Sequence, residues 1–318
     1  MLPKIQGTSR LIVLLLTASA FGAPQVPPAE LVRERRPEVT RRTLARAAVG
    51  DETRKYWIYF TDKGLFDSAA LESALDDRAA RLDPHASRRR SNVLGSARVD
   101  FHDVEVFAPY VQQLERLGVE VCRRSRWLNA VSVRGPVANL RQVGQQPFVQ
   151  RVVPVGVHRT SSAVPGPPGL PAPPQSIGDL FDYGNSRGQL DEIGVVEAHR
   201  HGYSGAGVIV AMLDTGFDWD QPVFAPIVED GRMLAQYDFV DGDGETHNEA
   251  GDADAEHAHG TLTWSALAGL DEGELVGPAW GASFLLAKTE DVNGESQIEE
   301  DNWITAAEWA DDHAADVI

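Results

Sequence analysis

The stretch Gly207-Val-Ile-Val-Ala-Met-Leu-Asp214-Thr-Gly216 decides the fold of the second half of the chain. Its continuous apolar run is typical of a strand that is buried on both faces, as in a parallel sheet. Asp214 follows the run directly, so it lies at the carboxyl end of that strand, where open α/β sheets place their sites. An Asp at a strand end is also a common helix cap, so this residue alone leaves both roles open.

Further strands and helices alternate after this run. The pattern predicts a buried helix over Thr261–Leu270, a second buried strand over Ala282–Ala287, a helix over Ile298–Asp312 and the start of a third strand over Ala315–Ile318. One side of the last helix is predicted to carry Trp303, Ala306, Ala307 and Ala310. Strands that alternate with helices indicate an α/β layer fold.

A second motif, His259-Gly-Thr261, follows Asp214 after 45 residues. A His at a helix start can reach a neighbouring side chain, but by itself it can equally cap the helix or lie on the surface. Together, the Asp214-Thr-Gly216 and His259-Gly-Thr261 motifs resemble the subtilase family of serine proteases, whose triad runs Asp, His, Ser along the chain. Similar flanking segments extend the resemblance over about residues 183–318.

The resemblance implies a subtilisin-like parallel-sheet catalytic domain, of which residues 177–318 form the N-terminal part, and a secreted serine endopeptidase. Asp214 would orient His259, and His259 would carry the proton between a serine hydroxyl and the leaving amine of a protein or peptide substrate. Such a triad requires no cofactor. The family's oxyanion Asn and its Gly-Thr-Ser nucleophile motif are not found in the 318 residues, apart from Gly7-Thr-Ser9 in the N-terminal leader. We therefore expect a longer open reading frame, and an inactive chain without its remainder.

Four polar residues follow the second buried strand. They are Glu290, Asp291, Asn293 and Gly294. By the same resemblance this stretch lines the substrate-binding cleft on the acyl side of the cleaved bond. An acidic rim there favours basic side chains of a substrate, and a solvated loop is the alternative.

The segment before residue 160 has a different pattern. Strands are predicted at 55–60, 119–122, 130–133 and 148–155, with helices at 68–82, 111–117 and 137–143. Residues 30–54 are predicted to be a mobile lead-in, and Arg88-Arg-Arg90 a solvated loop. The mixed order indicates a small α+β domain with an antiparallel sheet. By position and element order it resembles the ferredoxin-like propeptide that inhibits a subtilase until it is cleaved, so we expect residues 21–160 to be an intramolecular partner.

A proline-rich stretch separates the two regions. Residues 161–176 contain six prolines in sixteen residues and therefore indicate an extended, exposed linker. Exposed segments of this kind are preferred sites of proteolytic cleavage. We expect processing between about Thr160 and Gly184.

The charge of the chain is strongly divided. The formal net charge is −18, with +7 in residues 21–160 and −27 in residues 177–318. The acidic excess argues against nucleic acid as a partner, because phosphate binding needs a basic face. The two halves are expected to attract each other, or else to be two unrelated solvated surfaces. A single cysteine, Cys122, excludes an intrachain disulfide.

The N-terminus has the pattern of a targeting signal. Lys4 and Arg10 precede the apolar run Leu11–Ala18, and Ala18-Ser-Ala20 is typical of a signal peptidase site. The run is shorter than a membrane span, although an uncleaved anchor is the alternative. We expect residues 1–20 to be a signal peptide, no membrane span after its removal, and a secreted or periplasmic protein of bacterial origin.

Two further groups of residues suggest metal ligands. Asp241-Gly-Asp-Gly-Glu245 has oxygen spacing that suits calcium, although it lacks the EF-hand pattern and can equally be a solvated acidic loop. His257 and His259 lie two residues apart and could bind a divalent metal.

Three functions are consistent with these features. The favoured one is a subtilase precursor. The alternatives are a non-catalytic binding module with the same fold and a metal-dependent hydrolase that uses the His257/His259 cluster. A downstream Gly-Thr-Ser motif would separate the first two.

Overall fold

The computed structural model describes residues 32–47, 54–95, 98–159, 179–253, 256–291 and 297–318. The predicted signal peptide, the proline-rich linker at 161–176, and the candidate cleft residues Asn293 and Gly294 lie outside the described residues. Within these ranges, no helix combines the length and the apolar character needed to cross a membrane.

The N-terminal half is built on a four-stranded antiparallel sheet with the strand order β2-β3-β1-β4. Its strands, and a short strand that follows them, are β1 (Tyr56–Phe60), β2 (Glu120–Ser125), β3 (Ala130–Arg134), β4 (Val149–Pro154) and β5 (Val157–Arg159). Its helices are α1 (Pro37–Arg46), α2 (Ser68–Ala80), α3 (Pro84–Leu94), α4 (Ala108–Arg116) and α5 (Val137–Val143). This strand order, with helices between β1 and β2 and between β3 and β4, is that of the expected ferredoxin-like fold.

Strand β1 is buried on both faces, which explains its aromatic sequence Tyr56-Trp-Ile-Tyr-Phe60. Alternate residues of a strand point to opposite faces. Tyr56, Ile58 and Phe60 therefore enter the main core of this half, whereas Trp57 and Tyr59 enter a second cluster on the opposite face.

Two predictions for this half are wrong. Pro37–Arg46 is a helix rather than a mobile lead-in, because Pro37 starts it and Thr40 and Leu44 pack one turn apart against the domain. Arg88-Arg-Arg90 lies within helix α3 rather than in a solvated loop, because Asp83 caps the helix and Pro84 begins it.

The C-terminal half contains a parallel sheet with the strand order β6-β10-β7. Its strands are β6 (Ile209–Asp214), β7 (Met233–Asp238), β8 (Leu270–Asp271), β9 (Leu275–Val276), β10 (Ser283–Lys288), β11 (Glu290–Asp291) and β12 (Gln297–Glu299). Its helices are α6 (Arg187–Glu192), α7 (Val195–Arg200), α8 (Ala225–Glu229), α9 (Ala258–Ala268) and α10 (Glu300–Asp312). Val317 forms a parallel bridge to Val210 of β6, which agrees with the predicted start of a strand after Ala315. Strand β7, on the other side of β10, was not predicted.

Helix α10 lies between the two sheets. Ala306 and Ala310 pack toward the parallel sheet, while Ile304 joins the cluster of Trp57 and Tyr59 in the N-terminal half. Of the four residues predicted on one side of this helix, Ala306, Ala307 and Ala310 are buried, whereas Trp303 is 46% exposed. The helix is covered on two sides, and its buried positions therefore include the polar residues Asp301, Asn302 and Glu308.

Oppositely charged side chains join the two halves along α10. Arg89 Nη2 lies 2.6 Å from Asp311 Oδ1, and Arg126 Nη1 lies 2.8 Å from Asp312 Oδ2. Arg90 also pairs with Asp311, and His85 Nε2 lies 2.8 Å from Asp316 Oδ2. The divided charge of the sequence therefore corresponds to direct contacts between the halves.

Candidate active site

Asp214 ends strand β6, and its carboxylate is held by three groups. The backbone N–H of Thr215 donates to Oδ1 at 2.8 Å, and Thr263 Oγ1 donates to Oδ2 at 3.0 Å. Oδ1 also lies 2.7 Å from His259 Nδ1. The side chain of Asp214 is 9% exposed and that of His259 is 58% exposed, so the pair joins a buried carboxylate to an accessible ring.

The predicted contact between Asp214 and His259 is therefore present. Because a carboxylate accepts hydrogen bonds, the contact places a hydrogen on His259 Nδ1, so Nε2 is the ring nitrogen that can take a proton from another group. The catalytic roles of the two residues stay predictions.

Glycines bring the two motifs close together. A Cβ on Gly260 would lie 2.1 Å from the carbonyl oxygen of Gly216 and 3.1 Å from Asp214 Cβ. The first turn of α9 can therefore approach the end of β6 only without a side chain at position 260. Gly216 has a φ of +125°, which disfavours other residues, and a Cβ there would meet the Thr246 carbonyl at 2.8 Å.

Aromatic packing fixes the orientation of α9. Trp264 is fully buried, stacks on Phe224 with ring centroids 3.8 Å apart, and meets Phe217 and Phe284 edge-on. Buried aromatic rings contribute much of the apolar area in a core, so this cluster holds α9 on the sheet. His259 is thereby positioned from the same helix that supplies Thr263.

Sequence analysis missed the role of Thr263. Its hydroxyl oxygen lies 3.0 Å from both the second carboxylate oxygen of Asp214 and the Gly260 carbonyl oxygen, so its one hydrogen is shared between these two acceptors. The signal for it was present, because Thr263 lies four residues after His259 and therefore on the same face of α9.

Glu290 lies close enough to the pair to affect it electrostatically. The hydrogen bond to Asp214 raises the pKa of His259, burial lowers it, and the charges of Asp214 and Glu290 raise it further, with a net upward shift. Burial raises the pKa of Glu290, as does the charge of Asp214. Of the four candidate cleft residues, Glu290 is half-buried and Asp291 is exposed, both in β11.

The other histidine of the predicted metal pair, His257, packs against His247. The rings of His257 and His247 lie 4.9 Å apart, and His247 Nε2 lies 3.0 Å from Asp218 Oδ1. Burial lowers the pKa of His257. In the described part of the chain, a different group of side chains has the spacing of metal ligands, and it contains neither His257 nor His259.

That group is Asp238, Asp241 and Glu249. It shares only Asp241 with the predicted calcium loop at 241–245. Asp238 is fully buried, and the ammonium of Lys288 lies 3.1 Å from its Oδ2 and 3.0 Å from Asp252 Oδ2. Burial lowers the pKa of Lys288, but these carboxylates raise it to a net value above the ordinary one. Lys288 therefore already supplies a cation to this cluster, and calcium binding stays a prediction.

Comparisons with known families agree with this arrangement. Residues 205–318 match the model of the subtilase family of peptidases, and residues 55–164 match the peptidase S8 propeptide domain of Bacteroidota. Residues 205–318 therefore form a subtilase-family domain. The described geometry thus places Asp214 and His259 in a subtilase domain that follows a subtilase propeptide domain, as the fold prediction stated.

One solved structure similar to this chain is fervidolysin from Fervidobacterium pennivorans, a keratinolytic enzyme related to subtilisin. The identity is 18% and the TM-score 0.47. The match covers 82% of this chain and 34% of fervidolysin, so the chain spans about a third of that protein's length. No curated protein matches the chain.

Proposed function

We propose that the chain is the precursor of an exported serine endopeptidase in which Asp214 and His259 are two members of an Asp-His-Ser triad. The observation that carries the proposal is the 2.7 Å contact between Asp214 Oδ1 and His259 Nδ1 at the carboxyl end of a parallel strand. The third member, the serine, would come from sequence outside these 318 residues.

The chemistry follows from the proton positions. His259 Nε2 takes the proton of the serine hydroxyl as its oxygen bonds to the substrate carbonyl carbon, and Asp214 stabilises the resulting imidazolium. The imidazolium then gives that proton to the leaving amine as the C–N bond breaks. Water then attacks the acyl-enzyme. His259 takes a proton from this water and gives it to the serine oxygen as the acyl bond breaks. No cofactor takes part in these steps.

The N-terminal half would inhibit this site before processing. Strand β5 pairs antiparallel with β12, and β12 pairs with β11, which holds Glu290 near the Asp214–His259 pair. The strand that leads into the linker therefore lies along the edge of the site. We propose residues 21–160 as the propeptide, 161–176 as the linker and 177–318 as the N-terminal part of the catalytic domain.

Export is proposed from residues 1–20, which have the pattern of a signal peptide. The propeptide model that matches belongs to a bacterial phylum, which agrees with a bacterial extracellular or periplasmic protein.

Assays of the product of the complete gene test the proposed function. We expect a downstream Gly-Thr-Ser motif, peptide-bond hydrolysis, and loss of hydrolysis after modification by a serine-directed inhibitor. A downstream sequence without the motif would favour the non-catalytic binding module. Hydrolysis that survives the inhibitor but is lost with a chelator would favour the metal-dependent alternative.

The pKa of His259 gives a prediction that needs only the 318-residue chain. NMR titration should find the His259 pKa above 6.5, and Asp214→Asn should lower it because the hydrogen bond to the carboxylate is its largest upward cause. Since the folded value is raised, the stabilisation from protonated His259 is full below pH 6.5 and is lost as pH rises through the raised pKa. A value that Asp214→Asn leaves unchanged would contradict the described pair.

The processing site gives a second prediction. N-terminal sequencing of secreted material should place the mature start between about Thr160 and Gly184. Asp179 is held by Arg187 and by Arg200, whose Nη2 lies 2.7 Å from Asp179 Oδ1, so we expect the cut on the N-terminal side of Asp179. A mature start before residue 100 would overturn the proposed division.

Ionic strength should affect the association of the released propeptide with the mature protease. The pairs between α3 and the end of α10 are partly exposed, so each contributes only about 0–1 kcal/mol and the effect falls mainly on the association rate. The rate of inhibition, measured by stopped flow, should fall markedly from low to high salt. A rate independent of salt would show that these charges do not steer the encounter.

A further inference from the structure

A cavity lies between helix α1 and the end of helix α5 in the N-terminal half. Its volume is about 520 Å³, which is within the range of small-molecule sites. Three arginines, Arg35, Arg41 and Arg141, line it together with the apolar side chains of Leu44 and Ala45. Helix α1 precedes the residues that match the propeptide model, which begin at residue 55, so the family match does not account for this cavity.

Helix α1 gives the cavity a buried floor and an exposed rim. Thr40 and Leu44 are buried, and Thr40 Oγ1 accepts a hydrogen bond from the backbone N–H of Val152 at 3.0 Å. Arg41 and Ala45 follow these two residues directly and are exposed. Because residues four apart lie on the same face of a helix, Arg41 and Ala45 form a continuous strip of the cavity wall.

Arg35 is held in place by two backbone carbonyls. Its Nε donates to the Val149 carbonyl at 3.1 Å, and its Nη2 donates to the Gly144 carbonyl at 3.2 Å. A guanidinium has five N–H donors, so three remain for another acceptor. Since these contacts already order the side chain, a ligand that binds to it loses less entropy to ordering.

The other two arginines have no acidic partner. In the part of the chain that the structure describes, neither Arg41 nor Arg141 forms an ion pair, and no residue that lines the cavity is acidic. By contrast, Arg89 and Arg90 of α3 both pair with Asp311. Like charges around one cavity repel each other, and an anion inside it would relieve this repulsion.

The arginines favour a phosphate group over a carboxylate. A phosphate monoester has three terminal oxygens and carries between about −1.5 and −2 charges at pH 7. The planar fork of a guanidinium matches two of these oxygens at once, so several arginines can share one phosphate. The apolar surface of Leu44 and Ala45 in the same cavity suits the carbon chain of an ester.

We propose that the cavity between α1 and α5 binds an alkyl phosphate, with its phosphate on Arg35, Arg41 and Arg141 and its alkyl chain against Leu44 and Ala45. The site belongs to the N-terminal half and does not depend on the proposed endopeptidase function. Its ligand is either a soluble phosphate monoester or a lipid that ends in one, and the two sources share the same chemistry.

Isothermal titration of the 318-residue chain tests the site. The probes are hexyl phosphate, methyl phosphate with the same charge, and hexanol with the same chain. We expect hexyl phosphate to bind about tenfold more tightly than methyl phosphate, because burial of two CH₂ groups is enough for that factor. Hexanol should give no measurable binding at millimolar concentration.

Three variants of the cavity locate the binding. Arg41→Gln and Arg141→Gln should each weaken the binding of hexyl phosphate about fivefold. Ala45→Glu places a carboxylate in the cavity at an exposed helical position and should weaken it at least as much. Arg116→Gln is the matched control, because it removes the same charge from an exposed position of α4 outside the cavity and should change the affinity by less than twofold.

Several results would overturn the proposal. These are the absence of binding at millimolar hexyl phosphate, equal affinities for hexyl and methyl phosphate, and equal losses in Arg41→Gln and Arg116→Gln. Circular dichroism confirms that each variant is folded, so a loss of affinity is not a loss of structure.

Vesicles distinguish the two sources of the ligand. They contain phosphatidylcholine with or without phosphatidic acid, a lipid that ends in a phosphate monoester. Sedimentation with phosphatidic acid that Ala45→Glu abolishes would support the site with a lipid as its ligand. Binding of hexyl phosphate without sedimentation would support it with a soluble ligand.

Discussion

Replacing Asp214 by Asn in the protease proposed for the complete gene should lower kcat by about four orders of magnitude, the loss known for this change in Ser-His-Asp proteases. The Asp214 carboxylate accepts the hydrogen of His259 Nδ1. An Asn amide that turns its NH₂ group toward His259 Nδ1 would donate this hydrogen bond, whereas the carboxylate accepts it. The ring hydrogen would then lie on Nε2, and Nε2 could no longer act as the general base.

The rest of the site allows this effect to be isolated. Asn keeps an oxygen that can accept from the Thr215 N–H or the Thr263 hydroxyl, so the fold should persist. Asp220→Asn, an exposed change six residues along, is the matched control and should keep full activity. Steady-state kinetics and circular dichroism measure both properties, and a loss smaller than tenfold in a folded Asp214→Asn variant would exclude the triad role.

Replacing Glu308 by Ala should weaken the hold of the propeptide on the protease by about 3–4 kcal/mol, a factor of about 10² to 10³. Glu308 is buried on α10, and its carboxylate accepts a hydrogen bond from the Ser125 hydroxyl. It also accepts from the backbone N–H of Arg126 at 3.1 Å and from that of Trp127 at 3.2 Å. Without the carboxylate, these donors lose their acceptor while remaining buried.

The inhibition constant of the released propeptide against mature protease measures this loss. Glu229→Ala removes the same charge from an exposed position and should change the constant by less than twofold. Unfolding of the intact precursor gives a second measurement, because the same contact joins its two halves. An inhibition constant within threefold of the parent value for Glu308→Ala would show that the apolar cluster around Ile304 holds the two halves without it.

Much of the fold around the site was predictable because its strands are continuous apolar runs. The strands at 209–214 and 283–288 and the helix that begins at Ala258 follow the predicted pattern within a few residues. Strand β7, Met233-Leu-Ala-Gln-Tyr-Asp238, was missed because polar residues interrupt it. The Gln236 amide oxygen there is satisfied by the Thr246 hydroxyl at 2.6 Å, a partner that no local pattern reveals.

The errors in the N-terminal half have a similar cause. Three consecutive arginines suggest a solvated segment, yet Arg is a good helix former and Asp83-Pro84 is a helix start signal. Asp311, the acidic partner of Arg89 and Arg90, lies more than 200 residues away in the sequence. The Asp214–His259 contact was predictable from its paired motifs. The hydrogen bond from the Thr263 hydroxyl to Asp214 was not, because it depends on how α9 packs on the sheet.

Helix α10 ends with Asp311 and Asp312, two negative charges at the end of a helix whose own dipole is negative there. In the precursor, Arg89, Arg90 and Arg126 of the propeptide neutralise these carboxylates. Release of the propeptide by the proposed processing would leave the repulsion in the last turn of α10 and remove these counter-charges. If the proposed maturation takes place, the C-terminal turn of α10 loses the arginines that neutralise it, so we expect this turn to be less stable in the mature protein than in the precursor.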